Sequence, residues 1–140
     1  MAATIFSKQN LKRKKVIIII VILNIVSSIL HYIHNIAYFS DYPEPEWMTP
    51  HIVDYFWFIM TPFGLYGVIC ELKNNIKKAN IFLFLYALMG LLSLLHYGVD
   101  SEKEITMTIH LFIWIESIFA LVLIAYLIKL RKKSNIDYFN

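Results

Sequence analysis

The sequence predicts an all-α membrane protein: a four-transmembrane-helix bundle with both termini cytoplasmic. Three observations carry that expectation. Of the 140 residues, 59% are hydrophobic and only 16% are charged, whereas soluble domains run at roughly 45–50% and about 25%. The apolar residues gather into four blocks, each near the ~20 residues that a helix needs to cross ~30 Å of hydrocarbon. The Lys and Arg residues fall almost wholly outside alternate connections between those blocks, which is how cytoplasmic segments are marked. High hydrophobicity excludes a disordered chain. The single cysteine, Cys70, excludes a disulfide-stapled secreted domain.

The first block covers about residues 16–37. Its β-branched run Ile17 to Ile20 is a poor helix former in water, but in lipid a helix is the way to satisfy the backbone. The basic run Lys12, Arg13, Lys14 and Lys15 ahead of it has the outline of a signal peptide. The apolar core is long enough to span and no clean small-x-small site follows it, so an uncleaved helix is expected. The second block covers about 51–70 and contains Pro62, which should kink it, with Thr61 taking up the freed carbonyl. Cys70 closes this block as a packing residue or a palmitoylation candidate. The third block covers about 80–98 and the fourth about 107–128. The alternation of a membrane barrel is absent, so residues 1–140 are expected to form a single integral membrane domain.

Charge sets the orientation. Of the 13 Lys and Arg residues, only Lys103 lies outside the N-terminal tail, the connection between blocks two and three, and the C-terminal tail. The connections 38–50 and 99–106 are therefore expected outside. They carry Asp41, Glu44, Glu46, Asp100, Glu102 and Glu104. The positive-inside pattern accounts for the net charge of +3, so no nucleic-acid partner is implied. The basic segments instead suit the anionic headgroups of a lipid bilayer. A plasma (inner) membrane or an endoplasmic reticulum membrane accommodates such a chain.

All five histidines fall near the outer ends of the predicted helices: His31 and His34 late in the first, His51 opening the second, His96 late in the third, His110 early in the fourth. His31 and His34 share a helical face, with Asn35 beside them, and His51 shares one with Asp54. Asp54 and Glu116 are the carboxylates placed within spans. Ionisable groups there are costly and by default mark a functional site in the bundle interior. The alternative for the histidines is an interfacial role, in company with an aromatic belt of Tyr32, Tyr38, Tyr42, Trp47, Tyr55, Trp57 and Tyr97.

Imidazole and carboxylate together suit a transition metal, and one imidazole from each of two facing helices suits an axially ligated haem. Histidines and acids at several depths also suit a proton relay. No Glu-x-x-His di-iron motif, HExxH motif, phosphate loop or nucleophile elbow is present.

The segment SDYPEPEWMTP, residues 40–50, holds three prolines, three acids and two large aromatics. It is either an ordered lid over the helix ends or a stiff connector with Trp47 anchored at the interface.

This layout resembles the EXPERA membrane family, which includes the emopamil-binding sterol isomerases. The shared features are a first helix ending in a His-containing segment, an outer loop with Pro45 and Trp47, Asp54 early in the next helix, Pro62 within that helix, then two further spans and a basic tail. The similarity runs from His31 to Lys133. The set of acids and histidine that the isomerases use has no counterpart here. The resemblance implies a lipid-accessible pocket for an amphiphile, with Asp54 as the acid meeting its polar or cationic group and Asp41 as a second candidate.

Three functions therefore stand as expectations. In the first, a polar site near the outer face holds a metal or small cofactor, with His31, His34, His51, His96 and His110 as ligands and Asp54, Glu116, Asn35 and Trp47 around them. In the second, an EXPERA-like site binds or isomerises a sterol or lipid-like molecule. In the third, the chain is a non-catalytic helper in a homo-oligomer or larger membrane complex.

Overall fold

The computed structural model describes residues 2–99 and 104–137, with side chains over 10–99 and 104–131. The all-α, four-helix bundle that the sequence predicts is what forms. Helix α1 runs Ala2–Ala37, α2 Pro50–Leu72, α3 Ile76–Gly90 and α4 Met107–Asp137. Four stretches are long and apolar enough to cross a membrane: Asn10–Ala37, Pro50–Leu72, Ile76–Gly98 and Met107–Arg131. The chain is thus a multi-pass integral membrane protein. The helices form a ring in sequence order, with α1 packed on α2, α2 on α3, α3 on α4 and α4 back on α1.

Short local signals set the turns. Thr49 caps α2 by accepting from Ile52 N at 3.3 Å, and Pro50 follows at the first helical position, where its missing N–H costs nothing. At the other end Asn74 adopts φ 59°, and Asn75 N reaches back to Cys70 O at 2.8 Å. That left-handed residue ends α2 as a Schellman turn does. Asn75 then caps α3, accepting from Lys78 N at 3.4 Å. The two antiparallel helices approach closely because Gly64 and Gly67 carry no side chain. A Cβ at Gly67 would lie 2.7 Å from Leu83 Cδ2 and 3.1 Å from Leu83 N, and one at Gly64 would lie 2.9 Å from the Tyr86 ring. Small residues let membrane helices pack where water supplies no driving force.

The interior changes character along its length. At the end carrying the basic segments, the core is Ile17, Ile20, Val21, Leu83, Tyr86, Ala87, Leu123 and Leu127, joined by Met60. Towards the end carrying the acidic connection 38–49, α1 buries Asn24, Ser27, Ser28, His31 and Asn35 at helical spacing. Asn24 Nδ2 bonds Ile20 O at 2.9 Å and Phe119 O at 3.0 Å, tying α1 to α4. Trp57 Nε1 of α2 donates to Ser28 Oγ at 3.3 Å.

Several expectations are corrected. The third span is α-helical only to Gly90 and continues as a 3-10 helix, Leu91–Gly98. Ser93 Oγ donates to Gly90 O at 3.0 Å, supplying a side-chain bond where the winding changes. Thr61 Oγ1 is buried without a partner, so it does not take up the carbonyl freed by Pro62. The aromatic belt loses members to the interior: Tyr42 is buried, Trp57 bonds Ser28, and Tyr32 OH points to Met60 Sδ at 3.5 Å. Asp100, Glu102 and Lys103 lie outside the described residues.

The basic end holds an ion pair that the charge pattern alone did not reveal. Glu71 is 0% exposed, and Arg13 grips it with two bonds, Nε to Oε1 at 2.7 Å and Nη2 to Oε2 at 3.0 Å. The same Nη2 reaches Asn80 Oδ1 at 3.2 Å. One guanidinium therefore joins α1, α2 and α3, which a point-charge ammonium would do less well. Cys70, the neighbour of Glu71, is buried and acts in packing.

Candidate functional site

The connection 38–49 folds into the bundle end and closes it. A short 3-10 turn, Phe39–Asp41, is followed by Tyr42 and Pro43, both fully buried. Tyr42 packs with Ile109 and Ile113 of α4. A turn from Pro45 to Met48, closed by Met48 N to Pro45 O at 2.8 Å, returns the chain to α2. Of the two forms the prolines allow, the segment takes the ordered lid.

Beneath the lid lies a cavity of about 190 Å³. Its apolar walls include Val53 and Phe56 of α2, with Leu92 and Leu95 of the 3-10 helix. Three residues per turn bring Ser93 and His96 into one row along that helix, and both line the cavity, as does Val99 just past the helix end. The lid contributes Glu44, Pro45, Trp47 and Met48. Helix α1 contributes His31, Tyr32 and Asn35, and α4 contributes Glu116. Among the described residues no Lys or Arg lines it.

The polar wall is a connected network. His31 Nδ1 lies 2.5 Å from Glu116 Oε2, and the two residues are 3% and 2% exposed. The His31 and His96 rings meet edge to face, 5.5 Å between centroids. His96 hydrogen-bonds the Pro43 backbone, and its Nδ1 is 3.6 Å from Glu44 Oε1. Asn35 Nδ2 donates to the same Glu44 Oε1 at 2.7 Å. Tyr42 stacks on His31 at 5.8 Å and its hydroxyl bonds His34 Nδ1 at 2.9 Å. Burial first, then the charges of Glu44 and Glu116, push the Tyr42 hydroxyl above the ordinary tyrosine range, so it stays a neutral phenol. Two polar atoms of cavity-lining residues, His31 Nε2 and Asn35 Oδ1, are buried with no partner.

Of the expected site residues, His31, His96, Glu116, Asn35 and Trp47 meet at this cavity. His34 stands beside it through Tyr42. His51 is exposed, and Asp54 is only half-buried and does not line the cavity, unlike the buried acid that the EXPERA resemblance implied. His110 pairs elsewhere, its Nδ1 2.8 Å from Tyr97 OH. Nor do the histidines form one ligand set. Among the described residues no three His, Cys, Asp or Glu side chains group to hold a metal ion. One ring nitrogen, Nδ1, of each of His31, His34 and His110 is taken by Glu116, Tyr42 and Tyr97 instead. His31 and His96 touch each other, which leaves no gap between them for a haem. Glu44 and Tyr42 were not singled out as site residues beforehand. The signal for them was the Pro43-Glu44-Pro45 triplet, which stiffens the backbone around one carboxylate.

The chain matches no protein-family model, no curated protein and no solved structure.

Proposed function

We propose that the protein binds a small cationic amphiphile, of the alkylammonium kind, in the lidded cavity at the acidic end of the bundle. One observation carries this reading: the cavity has apolar walls, and its polar wall holds two carboxylates, Glu44 and Glu116, with no Lys or Arg among the described residues. Buried carboxylates need a cation or a proton to offset their desolvation. An ammonium head at the His31, Asn35 and Glu44 wall also gives Asn35 Oδ1 a donor, while the alkyl tail lies against Phe56, Leu92 and Leu95. Concave, mostly apolar sites with a few convergent polar groups are the usual form of small-molecule sites. The reading keeps the amphiphilic ligand that the EXPERA resemblance implied, with Glu116 and Glu44 in place of Asp54. The Lys and Arg pattern supports a cytoplasmic basic end and, with it, a lid on the outer side of the membrane.

The test compares octylammonium, octanol and octanoate, three chains of equal length and different head charge. Each is added to the purified protein in neutral-lipid nanodiscs and thermal unfolding is followed. The reading expects octylammonium to raise the unfolding temperature well above the effect of octanol, with octanoate inert. Equal shifts from octanol and octylammonium, or a larger one from octanoate, overturn it.

A further inference from the structure

We propose that the cavity exchanges a proton for its cationic ligand, so that the lone pair left on His31 Nε2 becomes part of the binding site. The proposal rests on the reading above and goes beyond it. His31 and Glu116 are the deepest ionisable groups of the network, held 2.5 Å apart and almost wholly buried. A pair holding only the proton between Nδ1 and Oε2 bears one net negative charge. Adding a proton at Nε2 makes it an imidazolium-carboxylate pair of zero net charge, the cheaper state in a low-dielectric interior.

Among the described residues no side chain accepts from that second proton. His31 Nε2 is buried with no hydrogen-bond partner. The titratable groups around the pair are Tyr42 and Glu44 from the lid, His96 from the 3-10 helix, Tyr86 from α3, and Tyr32 and His34 from α1 itself. From α2 only the apolar Val53 and Phe56 line the cavity. None of these groups is a fixed cation, so among the described residues the proton is the positive charge available to Glu116 until a ligand arrives. An ammonium brings one positive charge next to the pair and repels the proton on Nε2. That proton leaves to solvent, and Nε2 turns from donor to acceptor for a ligand N–H. One charge enters, one proton leaves, and the net charge of the site is unchanged.

Proton linkage makes the exchange visible. Octylammonium stays charged across the range in which imidazoles titrate, so only the site changes with pH. Its binding to the wild-type protein in nanodiscs is measured by titration calorimetry at several pH values and in two buffers of different ionisation enthalpy. The expected result is proton release on binding, up to about one per ligand, with affinity that rises as pH rises by up to about tenfold per pH unit where release is complete. A His31→Gln variant that still binds is expected to lose the slope, whereas His96→Gln keeps it. Octylammonium binding with no proton release and flat affinity overturns the exchange while leaving the binding reading intact. A slope that survives in His31→Gln overturns the assignment to this pair. Absence of octylammonium binding at every pH overturns both.

Discussion

His31 on α1 and Glu116 on α4 lie 85 positions apart in sequence, yet their side chains meet at 2.5 Å inside the bundle. Each is the other's main compensation for being buried. Removing one partner therefore strands the other. Glu116→Ala and His31→Ala are each expected to destabilise the fold, by up to about 3–5 kcal/mol if the stranded group stays buried. The double variant should be less destabilised than the sum of the two, with a coupling of about 0.6–1.7 kcal/mol, the average and the maximum for polar pairs between membrane helices. A double-mutant cycle on unfolding in nanodiscs reads this directly, and additive losses would deny the pair its structural role.

At the opposite end, Arg13 spans three helices through two bonds to Glu71 and one to Asn80. Arg13→Lys keeps the charge but cannot reproduce the planar fork. It is expected to lower the unfolding temperature, and Glu71→Gln to lower it further by leaving the guanidinium half-buried without its anion. Equal stability of Arg13→Lys and wild type would reduce the contact to simple charge pairing.

The close crossing of α2 and α3 makes a separate prediction. Gly67→Ala sets a methyl group 2.7 Å from Leu83 Cδ2 and 3.1 Å from its backbone nitrogen, so side-chain rotation alone does not relieve it. A loss of about 1–3 kcal/mol is expected, as for overpacking elsewhere. Gly98→Ala, where an added Cβ meets nothing within 4 Å, serves as the control and should change stability little.

Tyr42 anchors the lid, and its hydroxyl is pushed above the ordinary tyrosine range by burial and by the nearby carboxylates. The sign follows from the neutral form being the protonated one. A phenol whose folded value is raised adds stability that is fully present below about pH 10, the unfolded value, and that is lost as pH rises through the folded value. Alkaline titration of tyrosinate absorbance should therefore miss Tyr42 until the protein unfolds. Tyr42→Phe should leave the titration near pH 10 unchanged while removing the bond to His34, at a cost of about 1 kcal/mol. A drop in the number of tyrosines titrating near pH 10 in Tyr42→Phe would show that the lid is open.

The four spans were legible in the sequence because bilayer thickness imposes a length and lipid imposes apolarity, and both are local properties. The convergence of His31, His96 and Glu116 was legible in part, since helix direction places the outer ends together. Which residues share a face across helices depends on rotation about each axis, and that is set by contacts such as Gly67 against Leu83. This is why Asp54 and His51, strong candidates by position, stay outside the cavity. The lid was harder to read. Tyr42 looks like an interfacial tyrosine, and only its packing against Ile109, Ile113 and His31 makes it interior. The 3-10 winding of Leu91–Gly98 was hidden for a similar reason, as a leucine-rich sequence favours the α-helix on propensity alone.

The most direct measurement of the central claim is photocrosslinking with an octylamine that carries a diazirine near its tail, followed by peptide mapping. Of the apolar residues that line the cavity, Val53 is buried while Phe56, Leu92 and Leu95 are also exposed on the outside, and labelling at Val53 that excess octylammonium suppresses is the predicted result. Labelling confined to outward-facing residues such as Ile118 and Leu121, unaffected by excess octylammonium, would contradict the claim and leave the amine as no more than a solute of the surrounding lipid.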